Sequence, residues 1–187
     1  MSAYGGANQE IGDEQLMQAV AGGDLDAFDE IVLRYQQHAW KIAHRFLDDA
    51  MEAEDVAQEA FLKILQAAPR YRPTASFRTY LYRVLTRLCI DRARKRQPAF
   101  ADDLPDVPDS STGPADLLME REQGTQVRAA LDTLPPDQKA AIILRHYEGL
   151  SYGAIAVVLS VTPKAAERLI SRARAALQSR LSHFIKN

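Results

Sequence analysis

Residues 150–177 read LSYGAIAVVLSVTPKAAERLISRARAAL, and their spacing predicts two helices joined by a tight turn. Gly149 can end the preceding helix in a left-handed conformation, and Ser151 is a good N-cap for a short helix. Two residues then lead to Thr162, whose hydroxyl can cap a second helix. Pro163 falls at the first position of that helix, where its missing N–H costs nothing. The stretch therefore predicts a helix-turn-helix unit.

The second helix of this unit has an apolar face and a largely basic face. Ile155 and Ile170 are spaced to pack the two helices together. The outer face would touch base edges and phosphates if the unit binds DNA. Its candidate contact residues are Thr162, Lys164, Ala165, Arg168, Ser171, Arg172 and Arg174. The alternative to DNA binding is a helical hairpin within a bundle, whose basic residues form a solvated face.

A proline-rich segment separates this unit from the first half of the chain. Residues 98–115 contain four prolines, one glycine and four aspartates. Because little in this composition could form a core, we expect an extended, flexible, acidic linker. It divides the chain into two small helical domains, residues 12–97 and 116–187, after a frayed tail over residues 1–11. No strand signal appears, so the predicted fold class is all-α.

The first domain begins with three predicted helices. Apolar residues recur at helical spacing from Asp13 to Arg45, and Gly22-Gly23 separates two helices within this stretch. A third helix is predicted over about residues 50–67, with an inward apolar stripe that includes Val56 and Ile64. Its outward face is acidic and polar, and it carries Glu52, Glu54, Asp55, Gln58 and Glu59.

A basic loop and a basic helix complete the first domain. Residues 69–76 (PRYRPTAS) cannot continue the third helix because of their two prolines, and residues 77–96 resume a helical pattern. Residues 70–96 hold nine Arg or Lys against one acid, whereas residues 99–123 hold seven acids against one base. This segregation, in a chain of net charge −2, predicts separate surfaces for anionic and cationic partners.

Composition and motifs argue against several classes of protein. Cys89 is alone, so neither a disulfide framework nor a multi-cysteine zinc site can form. The four histidines are scattered, and we find no glycine-rich phosphate loop and no nucleophile with a supporting base. No signal peptide or membrane span is apparent. We therefore expect a cytoplasmic protein that is not an enzyme and has no cofactor, metal or small-molecule substrate.

Three segments, taken in order, resemble the sigma-70 superfamily. Residues 52–65 (EAEDVAQEAFLKIL) are similar to its polymerase-binding region, and residues 76–97 (SFRTYLYRVLTRLCIDRARKRQ) to its promoter-melting region. Residues 134–177, which end in the helix-turn-helix unit, are similar to its fourth region. The resemblance covers nearly the whole chain from residue 12. It is closest to the extracytoplasmic-function group, which keeps only sigma regions 2 and 4.

The resemblance implies a subunit that binds the beta and beta-prime subunits of core RNA polymerase and directs it to particular promoters. The acidic third helix would dock on a coiled coil of the polymerase clamp through Glu52, Glu54, Asp55, Gln58 and Glu59. The basic loop and helix would melt promoter DNA at the minus-ten element by trapping an unstacked base. The corresponding residues are Arg70, Arg72, Ser76, Phe77, Arg78, Tyr80, Arg83, Arg87, Arg94, Lys95 and Arg96.

For the second domain, the resemblance implies recognition of the minus-thirty-five element by the helix-turn-helix unit. Family members are commonly held inactive by an anti-sigma factor, often membrane-bound, so such a partner is expected. The linker would enter channels of the polymerase, although its aspartates could equally serve to keep a tether soluble. Departures from the family pattern include Tyr80 in place of a frequent tryptophan, Arg87 in place of an asparagine and Ser160 in place of a turn glycine. They leave the promoter sequence open.

Two interpretations other than a sigma factor are compatible with parts of the chain. A helix-turn-helix regulator that acts without polymerase would explain the second domain but leave the basic helix at residues 76–96 without a role. A sigma mimic that sequesters an anti-sigma factor usually carries a receiver domain, and no alternating strand and helix pattern for one is present. Transcription with purified core polymerase distinguishes a sigma factor from both.

Overall fold

The computed structural model describes residues 11–96 and 115–181, with side chains excepted over residues 115–123. Within this part the fold is all-helical and has no strand, which confirms the predicted fold class. The helices are α1 Asp13–Ala21, α2 Leu25–Leu47, α3 Ala50–Ala67, α4 Phe77–Arg96, α5 Ala115–Asp132, α6 Pro136–His146, α7 Tyr152–Leu159 and α8 Pro163–Leu181. The predicted tail and most of the predicted linker lie outside the described residues.

Aspartate side chains cap the beginnings of α2 and α3. The Asp24 carboxylate accepts a hydrogen bond from the backbone N–H of Ala27 at 3.1 Å, at the start of α2. Asp49 accepts bonds from the N–H groups of Met51 and Glu52 at 2.9 and 3.0 Å, at the start of α3. These backbone bonds lower the pKa of Asp49 because they favour its charged form. The predicted breaks between helices are confirmed.

The core of the first domain lies between α2, α3 and α4. Ile31, Val56, Ile64 and Leu85 have no exposed surface, and each comes from the apolar stripe of its helix. Cys89 is also fully buried in α4, and desolvation raises the pKa of its thiol to about 12. The thiol is therefore protonated and packs as a small apolar side chain.

The helix-turn-helix unit forms with the predicted caps. Ser151 Oγ accepts a hydrogen bond from the N–H of Ala154 at 3.2 Å, and Thr162 Oγ1 accepts one from Ala165 at 3.2 Å. Gly149 has the left-handed conformation that the sequence predicted, with φ +66°. The turn between α7 and α8 is also left-handed, at Ser160, whose φ is 55° and ψ is 42°.

We expect Ser160→Gly to stabilise the C-terminal domain modestly. A side chain in the left-handed region costs roughly 1–2 kcal/mol, and glycine relieves most of this at the expense of a larger unfolded-state entropy. The expected net gain is about 0.5–1 kcal/mol in the free energy of unfolding, measured by chemical denaturation. Ser160→Val should have the opposite effect, because a β-branched residue tolerates positive φ poorly. Equal stability of the two variants would contradict this account of the turn.

The two domains pack against each other in the described structure. Helix α4 of the first domain contacts α6 and α7 of the second, and α2 contacts α6. Their buried side chains join one continuous apolar cluster. The sequence predicted two domains but left their relative arrangement open. None of the helices in the described ranges is both long enough and apolar enough to cross a membrane.

Candidate functional site

The recognition face of α8 is open to solvent. Lys164, Arg168, Ser171, Arg172 and Arg174 are exposed, and Ala165 is half-buried beside them. Ala166, Ile170 and Ala173 point into the core on the opposite side of the helix. Arg168 and Arg172, one turn apart, line a shallow groove of about 420 Å³ together with Leu169. This cationic, solvent-facing surface on one side of a helix is what an element that enters a DNA groove requires.

A second cationic surface is built from the 68–76 segment and the start of α4. Its pocket of about 400 Å³ is lined by Arg70, Tyr71, Arg72, Thr79, Tyr80, Arg83 and Val157, among others. The Tyr71 and Tyr80 rings lie 5.4 Å apart, and the Arg83 guanidinium lies 5.5 Å from the Tyr80 ring. Burial raises the pKa of both tyrosines, so they stay neutral. Neutral aromatic faces beside arginines suit an unstacked base and its phosphate.

Other predicted members of this surface have different environments. Ser76 Oγ lies 3.0 Å from Thr79 Oγ1 and accepts a bond from the Thr79 N–H, so it caps α4 while remaining exposed. Arg87 and Lys95 are exposed on α4. Arg94 is 3.2 Å from Asp137 of α6, and the Arg96 Nε donates to Glu52 at 3.1 Å. These last two arginines are therefore partly neutralised in the described conformation.

The prediction that Phe77 belongs to the DNA surface is wrong for this structure. Its side chain has no exposed area, and its ring packs edge-to-face on Tyr35 at 5.2 Å. The Phe77 N–H donates to Glu14 of α1 at 3.1 Å. Phe77 begins α4 after a proline-containing loop, and the helical period turns that position inward. Phe77 is therefore part of the core of the first domain.

The predicted polymerase-binding face of α3 is accessible in part. Glu54, Asp55 and Gln58 are exposed, and the Gln58 amide donates to Glu54 at 3.3 Å. Glu52 and Glu59 are half-buried, with Glu59 3.4 Å from both Lys63 and Arg92. The three exposed side chains are thus the ones left available to a partner.

A groove that the sequence did not predict lies beside this face, between α2 and α3. It has a volume of about 640 Å³, and its lining includes Trp40, Gln36, Glu54 and Phe61. Trp40 is 36% exposed and stacks on His44 at 4.7 Å. A tryptophan on the outer side of an amphipathic helix was the available signal. Aromatic side chains of this kind are enriched at protein interfaces.

Glu148 forms a second feature that the sequence did not indicate. Its side chain is 1% exposed, although it lies in the short connection between α6 and α7. It is enclosed by four side chains of the first domain, His38, Arg45, Arg78 and Tyr82, which together form a carboxylate pocket. No spacing in the sequence relates residue 148 to these four residues, because the contact exists only when the domains dock.

Short hydrogen bonds hold the carboxylate in this pocket. The Tyr82 hydroxyl donates to Glu148 Oε2 at 2.6 Å, and His38 Nε2 lies 2.7 Å from the same oxygen. Arg78 Nη2 is 3.4 Å from Oε2, and Arg45 Nη1 is 3.7 Å from Oε1. Burial, followed by the bond to Glu148, raises the pKa of Tyr82, and the hydrogen bond with Tyr82 raises the pKa of Arg78.

No group of three or more His, Cys, Asp or Glu side chains in the part of the chain that the structure describes could hold a metal ion. The two cationic surfaces instead offer guanidinium groups, hydroxyl groups and aromatic rings. Such groups bind phosphates and bases without a cofactor. The arrangement suits recognition of nucleic acid at two separate places.

Comparison with known proteins matches each half of the chain to a region of the sigma-70 family. The family model of sigma-70 region 2 matches residues 31–99, and that of sigma-70 region 4 matches residues 125–177. The RNA polymerase sigma-H factor of Pseudomonas aeruginosa is 34% identical over 185 residues, which cover 93% of this chain and 96% of that protein.

Two solved structures resemble the fold. CnrH, in complex with the cytosolic domain of CnrY, has a TM-score of 0.70 and 26% identity, over 91% of this chain and 97% of that one. The sigma factor RpoE from Bartonella quintana, in complex with the anti-sigma factor NepR, has a TM-score of 0.57 and 22% identity, over 83% of this chain and 96% of that one. The ECF RNA polymerase sigma factor SigE of Mycolicibacterium smegmatis is 32% identical over 182 residues, which cover 92% of this chain and 70% of that protein. With both family models matched in order and both relatives covered over more than two thirds of their length, this chain belongs to the extracytoplasmic-function (ECF) sigma factors of the sigma-70 family.

Proposed function

We propose that this sigma factor directs core RNA polymerase to promoters through three surfaces of its own. The exposed acids of α3, with the neighbouring Trp40 groove, bind the polymerase. The tyrosine and arginine pocket at the start of α4 receives an unstacked base of the minus-ten element, and the outer face of α8 reads the minus-thirty-five element. The observation that carries this proposal is the presence of two separate cationic surfaces, on α4 and α8, beside one acidic helix.

The electrostatics of the three surfaces support this division of labour. DNA affinity rests largely on Lys and Arg contacts to phosphates, and both proposed DNA surfaces are rich in arginine. The exposed acids of α3, Glu54 and Asp55, carry the opposite charge and would be repelled by DNA, so they suit a basic protein partner. A regulator acting without polymerase would have no use for this acidic face.

Transcription from purified components tests the proposal. The full chain plus core polymerase is expected to initiate from a promoter that core polymerase alone ignores. Candidate promoters come from run-off transcription of genomic fragments of the source organism. Failure of the chain to bind core polymerase, with no inhibitor present, would overturn the proposal. Duplex binding as a dimer, without core polymerase, would favour the independent regulator.

The α3 surface makes a separate prediction. The double variant Glu54→Ala, Gln58→Ala is expected to bind core polymerase about fivefold more weakly or worse, because two exposed interface side chains commonly contribute ~1 kcal/mol or more together. Their exposure makes a folding defect small. The measurement is a titration of labelled core polymerase. Asp26→Ala is the matched control, since Asp26 is an exposed acid on α2. Equal affinities of the double variant and the control would remove these residues from the interface.

We further propose that an anti-sigma factor holds this chain inactive in the cytoplasm, through the same surfaces that serve transcription. This proposal is supported by the similarity of the chain to two solved structures: CnrH in complex with the cytosolic domain of CnrY, and RpoE in complex with the anti-sigma factor NepR. The Trp40 groove is suited to an apolar side chain from either polymerase or inhibitor. Co-purification with the tagged chain, followed by competition between the captured inhibitor and core polymerase, tests this. Simultaneous binding of both would contradict a shared surface.

A further inference from the structure

Glu148 is a buried contact between the two domains. A carboxylate moved from water into a protein interior costs several kcal/mol unless charged and hydrogen-bonding partners surround it. The four partners of the carboxylate pocket all come from α2 and α4 of the first domain. These partners therefore surround the carboxylate only while the second domain is docked. When the domains separate, it returns to water and the carboxylate pocket fills with solvent.

Such a contact specifies one docked arrangement without making it very stable. Hydration of the freed charges offsets much of the attraction in the docked state, so a buried ion pair adds little net stability. Its requirement for close hydrogen-bond geometry nevertheless excludes other ways of docking. Flanking contacts at the same interface are exposed and thus weak, as with Arg94 and Asp137, and with Arg128 and Asp48 at 3.8 Å. The polar contacts of the interface are therefore suited to opening, while the apolar cluster that the two domains share favours the docked state.

The docked arrangement covers part of the surface assigned to minus-ten recognition. Val157 of α7 lines the same pocket as Arg70, Tyr80 and Arg83. A neighbouring cleft of about 850 Å³ along α4 is also lined by the end of α7. Arg78 contacts Glu148 through Nη2 and donates from Nε to Tyr82, so part of its guanidinium is occupied while the side chain stays 52% exposed. By contrast, the recognition face of α8 remains exposed. Docking therefore covers part of one DNA surface, whose Arg70, Arg72 and Arg83 stay exposed, and leaves the other surface open.

We propose that Glu148, held in the carboxylate pocket, keeps the free chain in a closed conformation in which α7 covers part of the DNA-melting surface of α4. Core polymerase binds the open conformation, in which the two domains are separated. The covering effect rests on the proposed function of α4, whereas the docking by Glu148 does not. The closed conformation delays use of the melting surface until polymerase binding separates the domains.

A distance measurement tests the docking. Spin labels at Asp29→Cys on α2 and Gln178→Cys on α8 report the separation of the domains, and native Cys89 stays unlabelled because it is buried. The otherwise unchanged chain is expected to give one narrow, short distance. Glu148→Lys should give a longer, broader distribution, since a cation would face Arg45 and Arg78. An unchanged distribution would overturn the proposal. The exposed reversal Asp26→Lys is the control.

A reciprocal variant distinguishes loss of this ion pair from misfolding. Arg45→Glu, on the other side of the interface, is expected to open the chain as well. Combining Glu148→Lys with Arg45→Glu should restore part of the short distance, because the pair then attracts again. A folding defect in either single variant would not be reversed in this way. Openness of both single variants without any recovery in the double variant would contradict a direct pairing of these two residues.

Binding of single-stranded DNA tests the covering effect. If the open conformation is about a tenth of the free chain, Glu148→Gln should bind a labelled oligonucleotide up to about tenfold more tightly. Asp26→Asn changes the net charge equally and should leave the affinity unchanged. A more open chain with unchanged affinity would remove α4 from DNA melting while leaving the docking by Glu148 intact. An open distance distribution of the wild-type chain in complex with core polymerase would support the full proposal, and a closed one would overturn it.

Discussion

Replacing Arg168, Arg172 and Arg174 with alanine is expected to weaken promoter binding by the polymerase holoenzyme about a hundredfold or more. Specific contacts to base edges contribute ~1–3 kcal/mol each, so three of them at the low end of this range already exceed the ~2.7 kcal/mol that a hundredfold change requires. All three side chains are exposed on α8, and the apolar face that packs the helix is untouched. Fluorescence anisotropy with a promoter fragment, with and without the minus-thirty-five element, measures the effect.

The salt dependence separates base reading from phosphate neutralisation. For every phosphate that an arginine no longer neutralises, the slope of log affinity against log salt should fall in magnitude by about 0.9. Arg180→Ala on the same helix, farther from the turn, is the matched control for the single variant Arg168→Ala. A slope and affinity that stay unchanged in the triple variant would show that this face of α8 does not contact DNA.

Phe77→Ala is expected to have the largest effect on stability, a decrease of about 3–5 kcal/mol in the free energy of unfolding. The ring is fully buried at the start of α4 and packs edge-to-face on Tyr35. Truncation leaves a cavity that the surrounding helices cannot close without shifting. Urea denaturation followed by circular dichroism measures the decrease, and Arg83→Ala, at an exposed position nearby, should change stability by less than about 0.5 kcal/mol.

Phe77→Leu distinguishes a core role from direct contact with DNA. Leucine keeps most of the buried volume and removes the aromatic ring, so the variant should fold at a smaller cost. We expect it to retain promoter melting, measured by permanganate reactivity of unpaired thymines in the holoenzyme complex. Absence of melting in a stably folded Phe77→Leu protein would return Phe77 to the DNA surface.

Local signals in the sequence predicted the helices and the turn. The caps at Ser151 and Thr162 and the breaks at Gly22-Gly23 and the 69–76 loop all act within a few residues, so their effects can be predicted from spacing alone. The same applies to the basic outer face of α8, because helical period places its residues together.

Side-chain placement at the start of α4 could not be predicted in the same way. Phe77 and Tyr80 are both aromatic and three residues apart, yet only Phe77 is fully buried. What decides between them is the position of α1 and α2, which supply Glu14 and Tyr35 as partners of Phe77. Contacts between residues 63 and 42 positions apart leave no periodic signal.

The docking of the two domains could not be predicted from the sequence for a related reason. Glu148 meets residues 66 to 110 positions earlier in the chain, and its neighbours in sequence are typical of an exposed connection. Nothing in its local pattern distinguishes it from a solvated acid. Only the assembled structure shows that its side chain is almost completely buried.

Trp40 is the only tryptophan in the chain, and its indole lies half-exposed against His44 in the groove between α2 and α3. Its ultraviolet emission therefore originates from one known place. A ligand that seats in that groove would exclude water from the indole and shift its emission to shorter wavelength. The unmodified protein thus carries an intrinsic optical probe for occupancy of this groove by any partner segment that itself lacks tryptophan.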